Sequence, residues 1–151
     1  DLMAPDVAIV GEVRDREALP LLLTLSSGVK GFTTIHAGSA RQALTRLRFI
    51  CQLSDTGNEL PMSALNSLVS EAIDVVVHCA RTPEGPRVTA VICVEDQTTG
   101  AESTQFTATD VFDRSTGGSL RWTDNIPART AAAFRDAGLD IRHVLRAGEL
   151  S

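Results

Sequence analysis

The sequence predicts an α/β fold in which parallel strands alternate with helices, followed by an antiparallel hairpin and a small mixed tail. Three observations predict it. Val7 to Val10 is a short apolar run closed by Gly11 and Glu12, the pattern of a buried strand at the centre of a parallel sheet. Arg16 to Ser27 then reads as a helix stopped by Gly28, and Gly31 to His36 as a second strand, so the order is strand, helix, strand. Further on, a helix leads into two apolar strand-like runs separated by a Pro- and Gly-containing turn, which predicts a hairpin.

Taken in order, residues 1–5 are a lead-in and Val7 to Val13 is the first strand. Pro20 sits early in the helix 16–27, where the first turn tolerates it. Gly38 and Ser39 punctuate the second strand, and Ser39 suits the N-cap of a helix from Ala40 to Leu53. That helix places Ala43, Leu44, Leu47 and either Ile50 or Cys51 on one face and leaves Arg41, Arg46 and Arg48 to the surface. Ser54 to Glu59 is a polar loop, and Pro61 suits the start of a helix whose apolar face is Leu65, Leu68, Val69, Ala72 and Ile73. Asp74 to Ala80 is an apolar strand, 81–86 a turn marked by Pro83 and Gly85, and Arg87 to Glu95 the returning strand. Asp96 to Gln105 is polar. Phe106 to Phe112 alternates as a strand, 114–118 is a turn, and Leu120 to Thr123 pairs back. Ala128 to Ala137 is a helix stopped by Gly138, and Asp140 to Arg146 a last short helix. The expected division is a first part, 1–96, and a tail, 97–151.

Composition narrows the function classes. With 151 residues, 43% hydrophobic, the chain is long enough for a real core, and its mean hydropathy is near zero. A formal charge of −5 argues against nucleic-acid binding through a general basic surface. The basic residues are almost all arginine, since Lys30 is the single lysine, and they are scattered rather than clustered. No apolar stretch approaches the roughly 18 residues that span a bilayer, so direct membrane insertion is not expected. Cys51, Cys79 and Cys93 stand in apolar contexts without a Cys-x-x-Cys and read as buried thiols in a reducing cytosol.

The residues that carry chemistry lie early in the chain. A right-handed strand–helix–strand unit puts the ends of both parallel strands on one edge of the sheet, so Glu12 and His36 are expected to face one crevice. Four apolar residues followed by Gly-Glu have the shape of an NTPase acid strand, where the acid manages Mg²⁺ and the attacking water. An imidazole donates to phosphate whether neutral or charged. Thr33 and Thr34 precede His36, and strand alternation lets one of them share the side of Glu12 without saying which. Arg14 pairs with an upstream acid, reaches a phosphate or caps the following helix; the residues leave these open. A metal site at His78, Cys79 and Cys93 is not expected, because adjacent strand residues point to opposite faces and no second ligand pair is close. His143 has no evident partner in the sequence, and Trp122 reads as core or interface. A phosphate-cradling Gly-x-x-x-x-Gly-Lys-[Ser/Thr] does not occur, for Lys30 lies between Val29 and Gly31.

Pro5-Asp6, Ile9 to Arg14, Glu17-Ala18, Gly28, Gly31, Thr33 to Ala37, Ser39 to Arg41, Ala43-Leu44 and Arg46-Leu47 together resemble the type II and type IV secretion ATPases, with the tight-adherence pilus-assembly branch nearest. In that resemblance Gly11-Glu12 is similar to the Walker B element and Thr33 to Ala37 to the histidine box. The match covers residues 1 to about 96, departing at Val29, where a histidine is common, and at Gly38, where an asparagine is usual. The resemblance implies the C-terminal part of a RecA-like P-loop NTPase core. It implies ATP and Mg²⁺ as ligands, with catalytic Glu12 holding Mg²⁺ through water. His36, Thr33, Thr34 and Arg14 are implied on the nucleotide. It further implies a hexameric motor for pilus assembly or secretion, cytoplasmic and peripheral to the inner membrane, acting on a membrane platform protein. The chain would then be a fragment whose P-loop lies upstream, inactive alone. The alternative is a non-hydrolysing oligomerisation or docking module of a secretion complex.

Overall fold

The computed structural model describes residues 7–54, 57–97, 105–114 and 118–147. The lead-in at 1–5, most of the polar stretch at 96–105 and the middle of the predicted turn at 114–118 lie outside them. The chain forms two compact units.

The first unit holds residues 7–38, 42–54, 57–73, 97, 105 and 106. Strand β1 (Val7–Val10) pairs in parallel with β2 (Lys30–Thr33), in the register Val7 to Lys30 through Val10 to Thr33. Helix α1 (Ala18–Ser26) makes the crossover, starting two residues later than predicted; Pro20 is its third residue, where a missing N–H leaves no intrahelical bond unmade. Gly28, at φ 101°, turns the chain out of α1. Gly31 is required by close packing: a Cβ there would lie 2.3 Å from Leu25 Cδ2 and 2.7 Å from the carbonyl oxygen of Ala8.

The expectation of a buried central strand is corrected. Among the described residues the sheet of this unit has two strands, and one face of it is open, with Val7, Ile9 and Phe32 exposed, Ile9 to 75%. An apolar run fixes strand propensity but not how many neighbours the strand has. Helix α1 packs against α3 (Met62–Ala72), and Leu19, Leu21 and Leu22 of α1 are buried, as are Leu65 and Val69 of α3. In α2 (Ala40–Leu53) Ala43, Leu44 and Leu47 are buried, as the period predicts, with both Ile50 and Cys51. Burial pushes the Cys51 thiol up to about 11, so it is inert at neutral pH.

Arg48 departs from its predicted surface position. It follows Leu47 and Leu44 into the core and is 8% exposed. Its guanidinium donates to Asn66 Oδ1 at 2.8 Å and lies 5.4 Å from the centre of the Phe106 ring. A buried cation requires such partners. Replacing Asn66 by Ala is therefore expected to lower unfolding free energy by about 1–3 kcal/mol. Urea titration of Asn66→Ala against the parent reads this, and an unchanged midpoint would show that the contact carries no stability.

The second unit holds residues 39–41, 74–96, 107–114 and 118–147. Its sheet runs β3–β4–β5–β6, all antiparallel, with β3 at Val75–Thr82, β4 at Gly85–Val94, β5 at Ala108–Arg114 and β6 at Leu120–Trp122. The hairpin turn is tighter than 81–86: the chain reverses at Pro83-Glu84, and the Thr82 hydroxyl donates to the Gly85 carbonyl at 2.7 Å. The hairpin thus groups with strands from beyond residue 97, because β5 hydrogen-bonds along β4. Helices α4 (Ala128–Asp136) and α5 (Ile141–Ala147) cover a core of Cys93, Val111, Ala131, Ile141 and Leu145, with Phe112, Trp122 and Phe134 packed against it. The Glu95 carboxylate accepts from the backbone N–H of Ala128 at 3.1 Å and of Arg129 at 3.2 Å, satisfying the start of α4.

Cys79 is also a correction: it is exposed, because β3 alternates and its odd-numbered positions face outward with Val75 and Val77. His78 points to the other side, and its Nδ1 lies 3.0 Å from the Thr89 hydroxyl. Among the described residues no three His, Cys, Asp or Glu side chains group to hold a metal ion, and no helix is long and apolar enough to cross a membrane.

Candidate active site

The site lies within the first unit. Parallel pairing of β1 and β2 brings both strands out on one edge of the sheet. Beyond Val10 and Thr33 the two segments stay joined. The Val13 N–H donates to the Thr34 carbonyl at 2.9 Å, and the Thr34 hydroxyl donates to the Gly11 carbonyl. The residues between them, Gly11 and Glu12 on one side and Thr34 to His36 on the other, are thereby held alongside.

The result is a carboxylate with a nitrogen group at each oxygen. Glu12 Oε2 accepts from Arg14 Nη2 at 2.6 Å, and Glu12 Oε1 lies 3.1 Å from His36 Nε2. With its hydrogen on Nε2, the imidazole donates to the carboxylate. Arg14 and His36 are open to solvent, 74% and 87% exposed at the side chain, whereas Glu12 is 25% exposed. The Arg14 guanidinium, through its hydrogen bond, holds the Glu12 carboxyl below the usual carboxylate range, with His36 adding to the pull and Glu17 opposing it. Glu12 raises the affinity of Arg14 for its proton in return.

Sequence reasoning placed Glu12 and His36 together, and the structure does so. It also chooses among the readings left open for Arg14, whose partner is Glu12. Of the two threonines, Thr34 is the one bonded to the acid's loop, while the Thr33 hydroxyl is buried and has no partner among the described residues. One contributor was not anticipated. The Glu17 carboxylate accepts from the backbone N–H of Arg14 at 2.6 Å and of Asp15 at 3.2 Å, and the amide of Arg14, then Glu17's own amide and that of Asp15 hold its carboxyl below the usual range. Its signal was present: an acid three residues after Arg14, at the start of a helix, is the spacing at which a side chain reaches back to a free amide.

The donor set fits a nucleotide phosphate with Mg²⁺. An exposed guanidinium and an exposed imidazole suit phosphate oxygens, and the Glu12 carboxylate suits an ion held through its water shell.

Comparison with known proteins bears on the fold and the family. In the crystal structure of the VirB11 ATPase from the Brucella suis type IV secretion system, in complex with sulphate, the match has a TM-score of 0.55 at 27% identity, covering 59% of this chain and 28% of that one. The chain is thus an α/β protein that shares its fold with a secretion ATPase. The family model for type II/IV secretion system proteins matches residues 2–112, and the chain belongs to that family. Among curated relatives, the probable conjugal transfer protein TrbB of Sinorhizobium fredii is 39% identical over 109 residues, covering 70% of this chain and 32% of its own length. The type IV secretion system protein PtlH of Bordetella pertussis is 41% identical over 76 residues, covering 50% of this chain and 22% of its own. The chain spans about a third or less of the relatives it matches.

Proposed function

We propose that this chain is the C-terminal portion of an ATPase motor that powers pilus assembly or protein secretion. The observation that carries the reading is the 3.1 Å approach of His36 to Glu12 at one edge of parallel strands, in a chain of the secretion family. In this role Glu12 orients the attacking water. His36 and Arg14 leave the carboxylate for phosphate oxygens, His36 reporting the γ-phosphate to the rest of the motor; the Thr33 hydroxyl is a further donor, and the Thr34 hydroxyl becomes one on releasing the Gly11 carbonyl. Bound Mg²⁺ supplies neutralisation of phosphate charge, and Glu12 would hold it through water. The motor assembles as a homo-oligomer, a hexamer in this reading, on the cytoplasmic side of the inner membrane, and drives a platform protein there.

The test uses the full-length protein to which this segment belongs. His36→Ala is expected to lower ATP turnover on the order of 100-fold, the usual cost of one lost donor to developing charge. Phosphate release under saturating ATP measures it, and unchanged turnover would remove the imidazole from the reaction. A second reading, a docking or oligomerisation module, is favoured by the open apolar face of Val7, Ile9 and Phe32. The gene sequence upstream of Asp1 separates the two: a Gly-x-x-x-x-Gly-Lys-[Ser/Thr] within one domain's length belongs to the motor, an initiator Met immediately before it to the module.

A further inference from the structure

We propose that Glu17 is a positioning residue for this site, acting on Glu12 through Arg14; its kinetic consequence rests on the ATPase reading above. Glu17 stands immediately before α1, yet its side chain makes no bond to the start of its own helix. It turns back instead and takes the amides of Arg14 and Asp15 on one oxygen, Oε1. Those two bonds fix the backbone of the loop between β1 and α1 at the residue whose guanidinium grips Glu12 Oε2 at 2.6 Å.

The need for such a fixture follows from the arginine. Arg14 is long, exposed and free to sample many rotamers, and an exposed ion pair alone orients it weakly. Fixing the backbone at Arg14 narrows the directions its side chain takes and leaves Glu12 within its reach. Glu17 acts by charge as well. Its carboxylate attracts the Arg14 guanidinium and opposes the proton loss that Arg14 promotes at Glu12. The two acids therefore share one arginine, Glu17 through its backbone and Glu12 through its side chain.

The test compares Glu17→Ala, Glu17→Gln and Arg14→Ala in the full-length protein. Glu17→Ala is expected to lower kcat about 10-fold while the affinity for a fluorescent ATP analogue changes less than about twofold, the signature of a misplaced catalytic group rather than a lost binding contact. Glu17→Gln keeps an acceptor oxygen and restores part of the rate. In an Arg14→Ala background Glu17→Ala has no further effect on kcat, because the path to Glu12 is already cut. A loss that adds in full to that of Arg14→Ala, or an unchanged kcat, overturns the proposal. A crystal structure of Glu17→Ala reads the geometry without turnover: loss of the Arg14–Glu12 contact supports the proposal and its retention overturns it. Absence of ATP hydrolysis in the unsubstituted protein would sink the ATPase reading alone and leave this structural comparison to decide on Glu17.

Discussion

Glu12→Gln in the full-length protein is expected to lower ATP hydrolysis on the order of 1,000-fold, the scale on which a positioned base contributes to proton transfer. That corresponds to about 4 kcal/mol of lost transition-state stabilisation. Glutamine keeps the shape of glutamate and offers one carbonyl oxygen to Arg14 or His36, so the loop between β1 and α1 retains its conformation. What it loses is the negative charge that orients water and draws its proton. Nucleotide affinity is expected to hold or to tighten slightly. Arg14 and His36 both lie on the Glu12 carboxylate, and removing that charge leaves both side chains free for phosphate. The measurement is a pair: single-turnover phosphate release, and equilibrium binding of a fluorescent ATP analogue. Near-normal turnover would take Glu12 out of the reaction. Loss of both turnover and binding would make it a structural residue of the β1 loop.

The site was legible in the sequence to the extent that topology determines it. A parallel strand–helix–strand unit sends both strand ends to one edge, so Glu12 and His36 were placed together from their positions alone. The threonines were not, because β2 ends at Thr33 and strand alternation no longer governs the residue after it. Thr34 is instead placed by its bonds to Gly11 and Val13, which are contacts between segments 23 and 21 residues apart (34 − 11 and 34 − 13). The choice for Arg14 had the same character: its candidate partners were all in range, and the structure rather than the spacing selects Glu12.

Elements with a strong period were legible nearly to their ends. Ala43, Leu44 and Leu47 are buried as read, and so are Leu65 and Val69; of the alternatives Ile50 and Cys51, both are buried. What failed was burial where it depends on neighbours in space. β1 looked like the middle of a sheet but has one partner strand, and Cys79 looked buried but lies on the outward face of β3, which pairs on one side only. Arg48 failed in the opposite sense. Its position beside the apolar stripe takes it inward, and a distant residue, Asn66, makes that tolerable.

The purified 151-residue chain is expected neither to hold ATP tightly nor to turn it over. The guanidinium and the imidazole that it offers a triphosphate are on two exposed side chains, and an exposed ion pair contributes at most about 1 kcal/mol. Both already face the Glu12 carboxylate, and the formal charge of the whole chain is −5. Even about 4 kcal/mol of binding would give a dissociation constant of only about 1 mM. Tight binding requires a row of backbone amides and a lysine on the β- and γ-phosphates, and this sequence has no Gly-x-x-x-x-Gly-Lys-[Ser/Thr] to provide them. Without that grip the phosphorus is not held in line with a water on Glu12, and positioning is most of what an enzyme contributes to phosphoryl transfer. Calorimetric titration with MgATP into the millimolar range and a phosphate-release assay decide the matter. Saturable binding in the micromolar range, or phosphate release that Glu12→Gln abolishes, would show that this chain grips and cleaves nucleotide by itself. In that case the phosphate grip would have to come from within these residues, with the loops around Glu12 and His36 as the place to look.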